Sequence, residues 1–243
     1  MRWMTEDPIN CQYCGSDPVN WVDLWGLETW IIHGTFSSPE RFSQEFEEAV
    51  SAQLNDTTTR FEWSGGNTRT ARTEAAKVLV KEIVAYTEEN PDGPINLVGH
   101  SHGGNVAIKA SNMLADEGIK VDNLITMGTP VRGDYQLSGK NFGSHTNIYN
   151  PYDATQSIGG GAINIPGIGE TGPSGRTYKN ANNIKYSYVG MTYYPTKGIF
   201  GPDPVAFFTD NHSVYYQNPD CYNTWLPEVG NQQPDTYALK ECS

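Results

Sequence analysis

Long apolar runs are missing from this 243-residue chain, and none approaches the roughly 18 to 20 residues that a membrane-spanning helix needs. The opening MRWMTEDPIN also lacks the apolar core of a signal peptide, so export is expected to need a non-classical route, with a cytoplasmic location as the alternative. Basic residues are few: 16 Lys and Arg stand against 28 Asp and Glu, a net charge of −12. That balance opposes nucleic acid and anionic bilayers alike, and its simplest reading is a solvated acidic surface. Internal repeats are absent.

Cysteine is scarce as well. Cys11 and Cys14 form one Cys-x-x-Cys, but no second close pair accompanies them, so the spacing argues against a zinc site and no metal is expected. Cys221 and Cys242 are either a disulfide tying down the C-terminal tail or two thiols.

What remains is ordinary for a globular protein, 37% hydrophobic and 12% aromatic. Residues 1–27 lack helical or strand periodicity and read as a leader, set apart from a domain over 28–243. From Thr29 onward short apolar runs alternate with helical stretches, the pattern of parallel strands joined by helices. Strands are expected at Thr29–Ile32, Arg60–Trp63, Ile95–Val98, Asn123–Met127, Thr146–Tyr149 and Ile184–Val189. A first helix is expected after a cap at Ser37 or Ser38, with Pro39 in its first turn and Phe42, Phe46, Ala49, Val50 and Leu54 on one face. A second runs through Ala71, Ala75, Leu79, Ile83 and Tyr86 until Asn90-Pro91 stops it, and a third carries Val106, Ala107, Ala110, Met113 and Leu114 up to Gly118. The Gly- and Pro-rich stretch from Ser157 to Pro173 reads as a surface loop bordering a site. The aromatic stretch from Met191 to Phe208 is open to three readings: a lid, packed core or a plain surface loop.

The chemistry is concentrated in Val98-Gly99-His100-Ser101-His102-Gly103-Gly104. Gly-x-Ser-x-Gly alone is a weak signal, but here it lies between an expected strand and an expected helix. The chain must reverse there within a few residues and hold Ser101 in a strained conformation, with Gly99 and Gly103 removing side chains from the turn. Ser101 is the candidate nucleophile. Its hydroxyl needs a base, and of five histidines His212, in the polar stretch Asp210-Asn211-His212-Ser213, has the right place in chain order. His100 and His102 flank the serine and read as packing or hydrogen-bonding residues; His145 reads as a surface residue. The acid should follow a strand between Ser101 and His212. Asp153 meets that condition, with Asp134 as its competitor. The amide of His102 is one oxyanion donor, and the loop His33-Gly34-Thr35-Phe36 offers a second from Thr35 or Phe36.

His33-Gly34, the Gly99 to Gly104 motif, Met127-Gly128-Thr129-Pro130, Asp153 and His212-Ser213 together resemble the lipases and esterases of the α/β-hydrolase fold, in particular the PGAP1-like branch of acyl-ester hydrolases. The resemblance covers roughly residues 29–216. It implies a mostly parallel central sheet with helices on both faces, a Ser-Asp-His hydrolase of carboxylic esters with a lipid or acyl-ester substrate, no cofactor, and transient contact with a membrane surface. A thioesterase or amidase with the same triad, or an inactive fold kept for binding, are the alternatives. Arg2-Trp3-Met4-Thr5-Glu6-Asp7-Pro8-Ile9 and Tyr13 through Leu27 resemble the end of an Rhs/YD-repeat core, which in that family precedes a toxin domain. This chain has Leu24 where that junction has Pro. The resemblance implies a secreted toxin tip, with an immunity protein as partner.

Overall fold

The computed structural model describes residues 28–139, 141–187, 193–196, 199–202, 204–229 and 240–241. In chain order the elements are β1 (Glu28–Ile32), α1 (Gln44–Leu54), β2 (Thr57–Phe61), α2 (Arg69–Glu89), β3 (Ile95–His100), α3 (His102–Asp116), β4 (Val121–Met127) and β5 (Phe142–Tyr149). There follow α4 (Ala154–Ile158), β6 (Ile163–Ile165), β7 (Gly169–Thr171), β8 (Asn182–Ser187), β9 (Tyr193–Thr196), β10 (Ile199–Pro202), α5 (Pro204–Gln217), α6 (Pro219–Trp225) and β11 (Lys240–Glu241). Seven strands form one sheet in the order β2, β1, β3, β4, β5, β8, β11, and every pairing in it is parallel. β6 with β7 and β9 with β10 are separate antiparallel hairpins.

The period of two along each strand divides the core into two layers. Trp30, Ile32, Leu97 and Leu124 pack with Ala76, Leu79 and Ile83 of α2 and with Val106, Ala110 and Leu114 of α3. Ile31, Val98, Ile125 and Ile148 pack on the other face with Phe46 and Val50 of α1, Tyr215 of α5 and Trp225 of α6. Helices thus cover both faces, as the sequence pattern requires. At the amino edge of the sheet a polar ladder crosses it: Ser144 donates to Asn123, Asn123 to Asn96, and Asn96 and Thr29 both to Asp56 Oδ2, at 2.8, 2.8, 2.7 and 2.6 Å.

Several sequence expectations shift. Pro39–Arg41 is a separate 3-10 turn, and α1 begins only at Gln44, capped by Ser43 whose side chain accepts from the Phe46 amide. The second strand ends at Phe61, so Glu62 and Trp63 lie beyond it. The stretch Ser157 to Pro173 is no plain loop, for it holds the end of α4 and the β6–β7 hairpin. Within the aromatic stretch the backbone forms the β9–β10 hairpin and enters α5. Cys221 is buried against the Tyr186 hydroxyl and joins no disulfide among the described residues, while Cys11, Cys14, Cys242 and the whole leader lie outside them.

The β6–β7 hairpin follows β5 in the chain but is fastened to the segment that joins β2 to α2. Asn67 donates to the carbonyls of Ile168 and Glu170 at 3.1 and 2.8 Å and accepts from the Glu170 amide at 2.9 Å. The Glu170 carboxylate takes the buried Arg72 guanidinium, Arg132 Nη1 at 2.8 Å and the Arg69 amide at 2.9 Å. The hairpin is thus a strap that ties the segment after β5 to the start of α2 and to Arg132, which follows β4.

Candidate active site

The chain leaves β3 at His100 and enters α3 at His102, so Ser101 alone makes the turn. It does so at φ 54° and ψ −131°, a region that non-glycine residues avoid. Its neighbours make this possible by having no side chain: a Cβ on Gly103 would lie 2.3 Å from the Ile32 carbonyl oxygen, and one on Gly99 would lie 2.5 Å from Gly104 Cα. β3, α3 and the end of β1 are therefore pressed together around the serine. The Ser101 amide is held by the Met127 carbonyl at 2.8 Å.

Asp153 follows β5, is fully buried and caps α4, its Oδ1 accepting from the Gln156 amide at 2.8 Å. Its Oδ2 accepts from His212 Nδ1 at 2.8 Å. His212 does not lie in a loop, as its polar surroundings suggested, but inside α5, where Asn211, Val214 and Tyr215 form the buried face. The corner is closed by His100, whose Nε2 donates to the His212 carbonyl oxygen at 2.7 Å. Burial, reinforced by nearby His212, holds the His100 ring well below the usual imidazole range, so it is neutral and its one proton serves that bond. The serine turn after β3, the acid after β5 and the histidine after β8 stand at one edge of a parallel sheet.

This is the α/β-hydrolase fold.

Within this hydrolase fold Asp134, the competing acid, lies elsewhere, bound by Arg132 at 3.0 Å and Arg69 at 3.0 Å. Tyr215, which sequence reasoning missed, donates its hydroxyl to Asp153 Oδ2 at 3.0 Å and accepts the Asn150 amide at 2.8 Å. Its signal was its place one helical turn after His212, legible only once the segment is read as a helix.

The two candidates for the second oxyanion donor separate. The Phe36 amide donates to the Gly65 carbonyl at 3.0 Å, and Phe36 turns outward at φ 53° with its side chain 73% exposed. It is thereby removed from the set. The Thr35 amide has no such partner among the described residues, and Thr35 Oγ1 is buried and unpaired. Gly34, one residue earlier, packs so closely that a Cβ on it would meet Ser101 Cβ at 2.8 Å. His33 fixes this loop by donating from Nδ1 to the Gly34 carbonyl at 2.9 Å and by stacking on Trp63 at 5.5 Å. The His102 amide opens the first turn of α3, where helix geometry leaves donors without acceptors. The His102 ring accepts from Asn105 at 2.9 Å, a packing role of the kind expected. His145 is not on the surface: it is buried against Tyr178, donates to Thr126 at 3.0 Å, and burial pushes its pKa down to about 3.

Among the described residues no three His, Cys, Asp or Glu side chains converge as a metal would require. A cavity of about 480 Å³ opens beside the strap, lined by Arg69, Arg132, Asp134, Gly161 and Ser174, but Ser101 does not line it.

The thioesterase domain family matches residues 41–141, which include the serine turn and end before Asp153. Solved structures similar to the chain include the RedJ thioesterase of the prodiginine pathway of Streptomyces coelicolor, at 15% identity and TM-score 0.34 over 44% of this chain and 42% of that one. An esterase of Pyrobaculum calidifontis is similar at 16% identity and TM-score 0.41, over 52% of this chain and 58% of the other. A lipase-esterase related protein of Clostridium acetobutylicum is similar at 14% identity and TM-score 0.31, over 46% of this chain and 45% of the other. The chain thus spans about half or less of the length of the first of these. No curated protein matches it significantly.

Proposed function

We infer that the chain is a serine hydrolase that transfers an acyl group from an ester or thioester to water. The observation that carries this reading is the Asp153 to His212 bond of 2.8 Å, tied by His100 to the strained turn that presents Ser101. With Nδ1 committed to Asp153, Nε2 of His212 takes the Ser101 proton as Oγ attacks the acyl carbonyl. The amides of His102 and Thr35 receive the oxyanion, and His212 returns the proton to the departing alcohol or thiol. Water then repeats the sequence on the acyl-enzyme, releasing the acid.

The leaving group has two readings. The thioesterase match over 41–141 supports a thiol, and the resemblance of the motifs to lipases supports an alcohol, as in a lipase or phospholipase. Delivery as an Rhs-type toxin tip, with its immunity partner, is supported only by the leader's resemblance. The test is turnover of p-nitrophenyl esters and of matched acyl thioesters by the full chain and by Ser101→Ala. The variant is expected to lose at least about a thousandfold in turnover while folding normally. Turnover unchanged in the variant would sink the reading, and the preferred substrate decides the leaving group.

A further inference from the structure

Exposed large hydrophobic side chains are unevenly placed. Among the described residues there are seven, and all but Val78 of α2 stand on three loops at the carboxyl edge of the sheet: Phe36 after β1, Tyr152 and Ile158 after β5, and Ile163, Ile165 and Ile168 on the strap. Ile158, Ile163 and Ile168 are each more than half exposed. A chain of hydrogen bonds holds the segments that carry most of them against one another. Phe36 is bonded to Gly65, two residues before Asn67, and Asn67 is bonded to Ile168. Ile168 closes the hairpin turn onto Ile165 at 3.0 Å, Ile163 pairs with Thr171, and Thr171 and Gly172 both donate to the Ile158 carbonyl. This rim begins beside the serine, since Phe36 is two residues from the Gly34 that packs on Ser101.

Its size and charge indicate what covers it. Six partly exposed side chains amount to several hundred Å², within the range of about 300–600 Å² for a functional patch and short of the roughly 800 Å² per partner of a stable protein interface. From Ser157 to Gly169 there is no charged residue, in a chain of net charge −12. An anionic surface would repel the molecule as a whole, whereas an uncharged plane would not. Isoleucines on a hairpin turn and a tyrosine on the loop after β5 suit a lipid–water boundary, where shallow insertion needs no fitted groove.

We propose that the rim formed by Ile158, Ile163, Ile165, Ile168, Tyr152 and Phe36 docks the enzyme on a zwitterionic lipid surface, with the carboxyl edge that carries Ser101 facing the lipid. The proposal deepens the acyl-hydrolase reading and rests on it only for the consequence of docking. Ester-bearing substrate is then taken from an aggregate rather than from solution.

The test uses the full chain carrying Ser101→Ala, so that no lipid is hydrolysed, sedimented with phosphatidylcholine vesicles. Binding is expected, weaker on vesicles containing phosphatidylserine. Ile163→Ser, Ile165→Ser and Ile168→Ser combined are expected to lower the partition by at least roughly tenfold, about the effect of one fully seated isoleucine, while Val78→Ser leaves it unchanged. In the Ser101 background the triple variant should retain turnover of a short soluble ester, which reports folding. If it does not fold, Ile168→Asp alone, at the exposed turn, should lower binding in the same sense. Failure of the parent chain to sediment, or equal sedimentation by the triple variant, overturns the proposal. So does a dimer abolished by the triple variant with no vesicle binding, which assigns the rim to a second copy. Vesicle binding without ester turnover would instead overturn the hydrolase reading and leave the docking surface standing.

Discussion

Tyr215 donates to the same Asp153 oxygen that His212 Nδ1 contacts, at 3.0 Å against 2.8 Å. A carboxylate oxygen sharing two donors is fixed in position, and the imidazole is fixed with it. The arrangement binds three parts of the chain, since the tyrosine oxygen also accepts the amide of Asn150 at the end of β5. Burial, with the Asp153 charge beside it, raises the Tyr215 pKa far above the ordinary phenol range, so the hydroxyl keeps its proton for Asp153.

Tyr215→Phe removes a buried bond to the Asn150 amide and leaves Asp153 with one donor fewer. Stability should fall by about 1–3 kcal/mol in urea melts. Ester turnover should drop about tenfold in kcat, with KM unchanged, because the tyrosine positions the acid and does not touch substrate. A change in KM alone would reject that role.

His100 joins the serine turn to α5 through a single ring proton. His100→Phe removes that donor and should lower kcat roughly tenfold, about 1.4 kcal/mol in the transition state. His100→Gln keeps an N–H within reach of the His212 carbonyl and should recover most of the loss. Equal damage from the two substitutions would show that shape, and not the hydrogen bond, is what this position supplies.

Gly103→Ala would set a Cβ 2.3 Å from the carbonyl oxygen of Ile32, on a strand that cannot retreat without breaking its pairing with β3. A loss of about 3 kcal/mol or more is expected, read as a lowered melting midpoint. Gly133→Ala, where nothing lies within 4 Å of the added atom, is the matched control and should change little.

Asp56 gives the fold a pH dependence. Burial raises its pKa from 3.8 to about 6, partly offset by the bonds from Thr29, Asn96 and the Thr57 amide. The folded protein therefore holds a proton there that the unfolded chain has released. This contribution is complete below pH 4 and is lost as pH rises through 6, amounting to at most about 2 kcal/mol. Asp56→Asn, whose amide can occupy the protonated position, should gain relative stability above pH 6 and flatten that part of the profile in urea melts at pH 5 and pH 7.5. A wild type and variant with parallel profiles would place the proton elsewhere.

The sheet was legible because β1, β3 and β4 carry short apolar stretches, Trp30–Ile32, Leu97–Val98 and Leu124–Ile125, separated by helical stretches, and because Ser101 lies where one of them meets a helix. The acid was legible from its place after a strand. His212 was found by chain order, yet its helix was missed: Thr209 through Ser213 are all polar, and composition reads such a stretch as a loop when the apolar residues of its buried face, Val214 and Tyr215, come only after it. The strap was missed for a different reason. Its glycines and Pro166 signal turns, and the bonds that order it come from Asn67 and Arg72, about a hundred residues away, beyond any local pattern. His145 was misjudged because a histidine between Ser144 and Thr146 carries no mark of the Tyr178 ring that covers it.

The strap also sets the order in which this protein can be made. Asn67 emerges from the ribosome a hundred residues before Ile168 and Glu170, with Ser101 between them. During that interval Arg72 waits for the carboxylate it will bury against, and the serine turn has no histidine base. A nascent chain thus carries its serine turn before it carries either its fastening or its base.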